Sequence, residues 1–328
     1  AIPYLSTRTE NLFEYELCRR IRAVTEPKKA KVGVLSSFPV MGRPPAPQKG
    51  DSGAPRWLAF AELARDWQLV ELSPDVREIP SDLAALIVLH PSGFSQRARY
   101  AVDQWLLRGG RLAVFTDPQS AYALLMAVKT KNYGLANFSA SEFEPLVSAW
   151  GFEAPAESVA ADLEFKSDRI GANGALVTVP TALAVTDKGL SKTDPATARL
   201  SALRLEYAGF FRLARPDAGL KYEPVLFTTD MAREASISDI PEKILASFSS
   251  NDKAGLEKLT MGWRIEGMFP TAYPSGPPGG GVSAESLKRS TKPGMVYLFG
   301  DCDFLFNDAC AAQIPDEFRQ NLVIRRND

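Results

Sequence analysis

Histidine is nearly absent from this chain: a single residue, His90, stands among 328. That scarcity removes mechanisms built on a histidine pair and metal centres assembled from several imidazoles. Cysteine is almost as rare, and Cys18, Cys302 and Cys310 are too few and too irregularly spaced for a disulfide framework or a zinc site. A helix starting near Asp303 would place Cys302 and Cys310 about two turns apart, past the ~7 Å Cα separation a disulfide tolerates, so buried free thiols are expected. An excess of one charge is also missing. With 38 basic and 39 acidic side chains the net charge is −1, which offers no electrostatic reason for nucleic acid or anionic lipid as a partner. No apolar run approaches the ~18–20 residues that cross a bilayer. There is no GxxxxGK phosphate loop and no GxSxG elbow, so nucleotide hydrolysis and an α/β-hydrolase nucleophile both lack their framework.

What is present is a strong α/β pattern. Residues 83–118 read as two buried parallel strands joined by one amphipathic helix. Leu83–Leu89 and Arg111–Phe115 are continuous apolar runs, the mark of strands covered on both faces. Between them Ser95 is placed to cap a helix with Tyr100, Val102, Trp105, Leu106 and Leu107 on its core face, and Gly109-Gly110 stops it. An N-terminal helix is expected from Glu10 to about Val24, its Leu12, Phe13, Leu17, Ile21 and Val24 face packed on the sheet. Further strands are expected from Lys31 to Ser36, Gln68 to Leu72 and Gly294 to Gly300, with helices near 56–66, 119–128, 142–150 and 303–311.

The middle of the chain changes character. Over 152–230 short apolar segments alternate with Gly, Pro and Asp clusters, which predicts antiparallel strands. The expectation is therefore a mainly parallel, doubly wound sheet, comparable to flavodoxin or class I glutamine amidotransferases, built from 1–150 and 259–328, with a β-rich insert over 151–258. Two Pro/Gly-rich stretches, 38–55 and 270–281, are expected to be long loops.

Polar residues close four of the expected strands: Ser36, His90, Asp117, and the pair Asp301 and Asp303. In one parallel sheet they gather at the carboxyl edge, where such folds hold ligands. Two readings follow: a ligand cleft, or helix caps and turns, the commoner use of strand-end aspartate. A Ser36–His90–Asp117 triad can be composed on paper, yet nothing in the spacing presents a strained nucleophile. Amidotransferases place histidine after an elbow cysteine, whereas here His90 precedes Cys302. The aspartates of 300–308 lack the spacing of a calcium loop. No catalytic residue, metal ligand or cofactor is assigned. Phe38, Phe269 and Tyr273 lie in the Pro/Gly loops and serve either as anchors at a protein interface or as covers folded over the sheet.

Five segments carry a family resemblance: the run from Pro91 to Pro118 that includes YAVDQWLLRGGRLAVFTDP, residues 12–42, the block after Lys221 containing FTTD, MFPTAYPSGPP at 268–278, and MVYLFGDCDFLFND at 295–308. Together they resemble the auxiliary extracytoplasmic domain of gliding-motility-type (GldG-like) ABC transporters, a domain related to one in intraflagellar-transport proteins. The resemblance implies a non-catalytic accessory or scaffolding module without a cofactor. Its implied partners are the permease and ATPase subunits of the same system. It also implies a periplasmic location and membrane attachment through anchors outside this chain, in keeping with a start at Ala1. The competing reading is a small-molecule or glycan sensor that uses the strand-end cleft.

Overall fold

A computed structural model describes residues 10–25, 28–45, 53–171, 174–248, 255–279, 286–313 and 323–325. Helix α1 (Glu10–Thr25) opens the described chain, and its basic side does the packing. Arg19 Nε donates to Asp66 at 2.6 Å, and the Arg22 guanidinium lies 4.9 Å from the Trp67 ring centre. Leu17, Ile21 and Val24 stay exposed, Val24 at 82%. For these three residues the expected burial is corrected, since other elements already cover the sheet and arginines meet the neighbouring helix; the side chains of Leu12 and Phe13, expected on the same face, lie outside the described residues.

The first half alternates strand and helix: β1 (Lys31–Ser36), α2 (Leu58–Asp66), β2 (Gln68–Leu72), β3 (Leu83–Leu89), α3 (Gln96–Leu107), β4 (Arg111–Phe115) and α4 (Ala121–Lys129). The 83–118 unit follows its pattern closely. Ser95 Oγ accepts from the Ala98 amide at 3.1 Å as the cap of α3. Beyond the helix, Gly109 turns the chain at a φ of 93°, a left-handed value that glycine adopts without steric cost.

Helix α5 (Glu144–Ala149) precedes the β-rich span. That span contains β5 (Phe152–Glu153), β6 (Ser158–Asp162), β7 (Lys166–Ile170), β8 (Leu176–Thr186), β9 (Ala202–Glu206), β10 (Arg212–Leu213), β11 (Leu220–Phe227) and β12 (Ala232–Ser236). A helix α6 (Pro241–Phe248) follows, and β13 (Thr260–Gly267) and β14 (Gly294–Phe299) return the chain to the sheet of the first half.

The central sheet runs β11-β13-β14-β4-β3-β1-β2. From β2 to β14 all neighbours are parallel, in the order 2-1-3-4-5 of flavodoxin-like folds with β14 in fifth place. Strands β13 and β11 extend the far edge in antiparallel fashion. Strand β11 is drawn from inside 151–258, so the central sheet and the β-rich span share a segment of chain.

Alternation along the strands shows what covers each face. Leu35, Leu86, Val88, Leu112, Val296 and Leu298 pack beneath α3 and α5. On the opposite face Val34 and Leu89 meet Trp57, Phe60 and Tyr122 from the region of α2 and α4. Further along that face Tyr297 and Phe299 pack instead into a β-rich cluster with Phe165, Leu183, Leu205, Phe210 and Met261. The β-rich span therefore stands where a further covering helix would otherwise be required, since a parallel sheet must be buried on both sides.

The expected helix over 303–311 is also corrected. A 3-10 turn at Asp303–Leu305 is followed by α7, only Asn307–Cys310. Asp301 Oδ1 accepts from the amides of Asp303 and Phe304, at 2.6 and 3.2 Å, which folds this segment as an aspartate turn.

Candidate functional site at the strand ends

The crevice between the ends of β1 and β3 is the topological switch point, where flavodoxin-like folds bind ligands. Here the chain's own side chains occupy it. Ser36 Oγ accepts from the Phe38 amide at 3.0 Å. Ser37 Oγ donates to the Ser92 carbonyl at 2.6 Å and accepts from the Ser92 amide at 3.2 Å. The Phe38 ring stacks on His90 with centroids 4.5 Å apart and 9° between planes, and it also contacts Tyr122 and Trp57.

His90 is fully buried and sits at a φ of 46°, an uncommon conformation for a side chain of this size. Its Nε2 lies 2.7 Å from the Phe138 carbonyl. Because a carbonyl only accepts, Nε2 carries the proton and Nδ1 is left to accept from Ser141 Oγ at 3.1 Å. Ser141 Oγ in turn accepts from the Asp117 amide at 2.9 Å. Burial pushes the imidazole down to about 4, so His90 is neutral at physiological pH.

Asp117, Asp301 and Asp303 are all buried at the ends of β4 and β14. Asp303 joins distant parts of the chain. Its Oδ1 accepts from Ser120 Oγ at 2.8 Å and the Tyr122 amide at 3.1 Å, and its Oδ2 from the Ala121 amide at 2.5 Å. It thereby satisfies first-turn amides of α4, while Ser120 Oγ caps the same helix at Ala123. Asp301 Oδ2 accepts from the Glu206 amide at 2.7 Å, tying β9 to the sheet edge. Asp117 accepts from the Gln119 amide at 2.8 Å and the Cys302 amide at 3.2 Å. Burial, reinforced by mutual repulsion, raises Asp117 and Asp301 well above the usual carboxylate range, and burial pushes Asp303 up to about 6.

Asp117, Cys302 and Asp303 bring donor atoms within 4.8 Å of one another. The set fits a metal poorly. Both carboxylates already serve protein donors: Asp303 accepts from Ser120 Oγ and two amides, and Asp117 Oδ2 accepts from the Cys302 amide and lies 3.4 Å from Cys302 Sγ. Burial and the neighbouring carboxylates raise the Cys302 thiol well above the ordinary range, and a thiol held protonated is not a ready nucleophile.

The loop aromatics differ in fate. Phe269 is 0% exposed and packs edge-on against Trp150, so its reading as a surface anchor is corrected. Tyr273 meets Tyr100 at 5.4 Å, and burial pushes its hydroxyl up to about 12. Phe38 is half-buried in the aromatic group around His90. The second Pro/Gly loop is tied down at its start, where buried Asp103 accepts from Thr271 Oγ and the Ala272 amide, both at 2.8 Å. Beside the carboxylate cluster, a cavity of about 180 Å³ opens among Thr116, Asp117, Ser141, Val147, Phe211 and Gly300.

Over residues 29–325, from just before β1 to the last described strand, the chain matches the family described as ABC-type uncharacterized transport system. It belongs to that auxiliary family. No curated protein matches the chain. Among the described residues no helix is long and apolar enough to cross a membrane.

In this auxiliary domain the strand-end residues Ser36, His90, Asp117, Asp301 and Asp303 do lie along one edge, and each is engaged with its own polypeptide. The residues that complete the network were not evident beforehand. Ser120 carried a readable signal, a serine preceding the helical AYALLMAVK pattern. Ser141, Asp103 and Gln104 carried none. Asp103 and Gln104 stand within the otherwise apolar face of α3, and both are buried, Asp103 beneath Thr271 and Ala272 and Gln104 against the Leu287 backbone.

Proposed function

We propose that this chain is a non-catalytic extracytoplasmic accessory domain of an ABC transport system of the gliding-motility type, a scaffold for its permease and ATPase subunits. Belonging to the auxiliary family supplies the system. The observation that carries the scaffolding role is the state of the strand-end edge. Its carboxylates accept from the protein's own amides, its histidine is neutral and doubly hydrogen-bonded, and its thiol is protonated. Groups spent in this way brace one end of the sheet against the β-rich span; they do not turn over a substrate. On this reading the edge is a lock that holds α4, β9 and the β14 end in register.

The test is affinity capture of the full-length, membrane-anchored protein from its native host, with identification of the co-purifying subunits. Recovery of a permease and an ATPase in stoichiometric amounts is expected. Recovery of the protein alone, or turnover of amide, ester or phosphate substrates that disappears with Asp301→Ala, overturns the reading.

A further inference from the structure

The cavity at the ends of β4 and β14 is not used by the bracing network. Its walls are mainly apolar: Phe143 and Val147 from the α5 region, Phe210 and Phe211 from the β-rich span, and Pro118 and Pro155. The polar groups around it are committed elsewhere. Thr116 Oγ donates to the Phe299 carbonyl at 3.1 Å, Ser141 Oγ serves His90 and the Asp117 amide, and Asp117 serves Gln119 and Cys302. A sugar, which needs several open hydrogen-bonding groups, would find few here.

Size narrows the occupant further. The volume of about 180 Å³ is below the ~300–1,000 Å³ of small-molecule and cofactor sites. It is slightly above the ~150 Å³ of a cavity that takes one benzene ring. A single phenylalanine- or leucine-sized side chain matches that space. Glu144 lines the same opening and is itself exposed. The cation that acts on it, Arg215, places its guanidinium on Ser148 Oγ at 2.7 Å, and among the described residues the carboxylate has no direct ion pair.

Resting on the accessory reading, we infer that this cavity is the anchor pocket for a protein partner, receiving one apolar side chain from a segment that carries an adjacent arginine or lysine for Glu144. Buried anchors of this kind dominate interface energetics, and the rim carboxylate supplies orientation and choice of partner.

The test is an amide-resolved NMR titration of the full chain with two probes, acetyl-Phe-Arg-amide and acetyl-Phe-Glu-amide. Saturable shifts are expected at Gly209, Phe211 and Gly300, with the arginine peptide favoured roughly two- to fivefold, the range of an exposed ion pair. Ala156→Trp, at an exposed lining position, should fill the space and abolish both responses. Glu144→Gln, which leaves the cavity intact, should equalise the peptides. Absence of saturable shifts, equal binding of the two peptides by the unsubstituted protein, or an undiminished response in Ala156→Trp overturns the pocket. Benzene binding without peptide binding also overturns it, in favour of a small-molecule site. Capture of the permease with failed titrations sinks only the pocket; successful titrations without the permease sink only the transport partnership.

Discussion

Asp303→Asn tests the account of the strand-end edge most sharply, because it removes a buried charge and keeps the side-chain shape. Burial raises Asp303 from the ordinary 3.8 to about 6 in the folded protein. Below the lower value the carboxyl is neutral in both states and its stabilising contribution is fully present. As pH rises through the upper value that contribution is lost, since the folded state must ionise a buried group. The gap from 3.8 to about 6, at about 1.36 kcal/mol per pH unit, is on the order of 3 kcal/mol.

Asparagine is uncharged throughout, and its cost from a poorer acceptor, about 1–3 kcal/mol, does not depend on pH. Urea denaturation followed by tryptophan fluorescence should therefore show the variant clearly weaker near pH 4.5 and gaining by up to ~3 kcal/mol relative to the parent near pH 7.5. Loss of the charge also relieves Asp117 and Asp301, which acts in the same direction. His90 acts oppositely in both proteins: lowered from 6.5 to about 4, it contributes stability above 6.5 that is lost as pH falls through about 4. Only the difference between the two proteins isolates Asp303. A difference that stays constant across this range refutes the argument.

Other consequences are equally direct. The His90 ring should show the Nε2–H tautomer by nitrogen NMR and remain neutral down to about pH 5; protonation near its ordinary value would contradict the buried, doubly bonded arrangement. In the native protein a thiol reagent should label exposed Cys18 quickly and Cys302 only after unfolding, and equal rates would place Cys302 outside the core. Gly300→Ala puts a methyl group against the Gly209 carbonyl, where the Gly209 amide donates to Gly300 at 2.7 Å. A loss of about 1–3 kcal/mol in thermal or urea melts is expected, and an unchanged melt would show that the seam yields freely.

Much of the architecture was legible in the chain itself. Apolar runs at Leu83–Leu89 and Arg111–Phe115, the cap at Ser95 and the stop at Gly109 depend on neighbours within a dozen residues, and each appears where the pattern placed it. The shift to antiparallel strands after 150 was marked by spaced Gly and Pro for the same local reason. Harder to read was α1, whose apolar stripe predicts a covered face. Periodicity says that a face exists and not whether the sheet has room for it.

Local pattern thus determined the strands and helices of the parallel half, and that polar residues end the parallel strands, but not α6 or the short turn after Asp303. Tertiary structure decided what those polar residues do. Asp303 serves the amides of Ala121 and Tyr122, Asp301 the amide of Glu206, and His90 the carbonyl of Phe138, all partners far away in sequence. A strand-end carboxylate facing water and one facing another helix's unpaired amides have the same local sequence. Only packing, by removing solvent and supplying donors, turns one into the other.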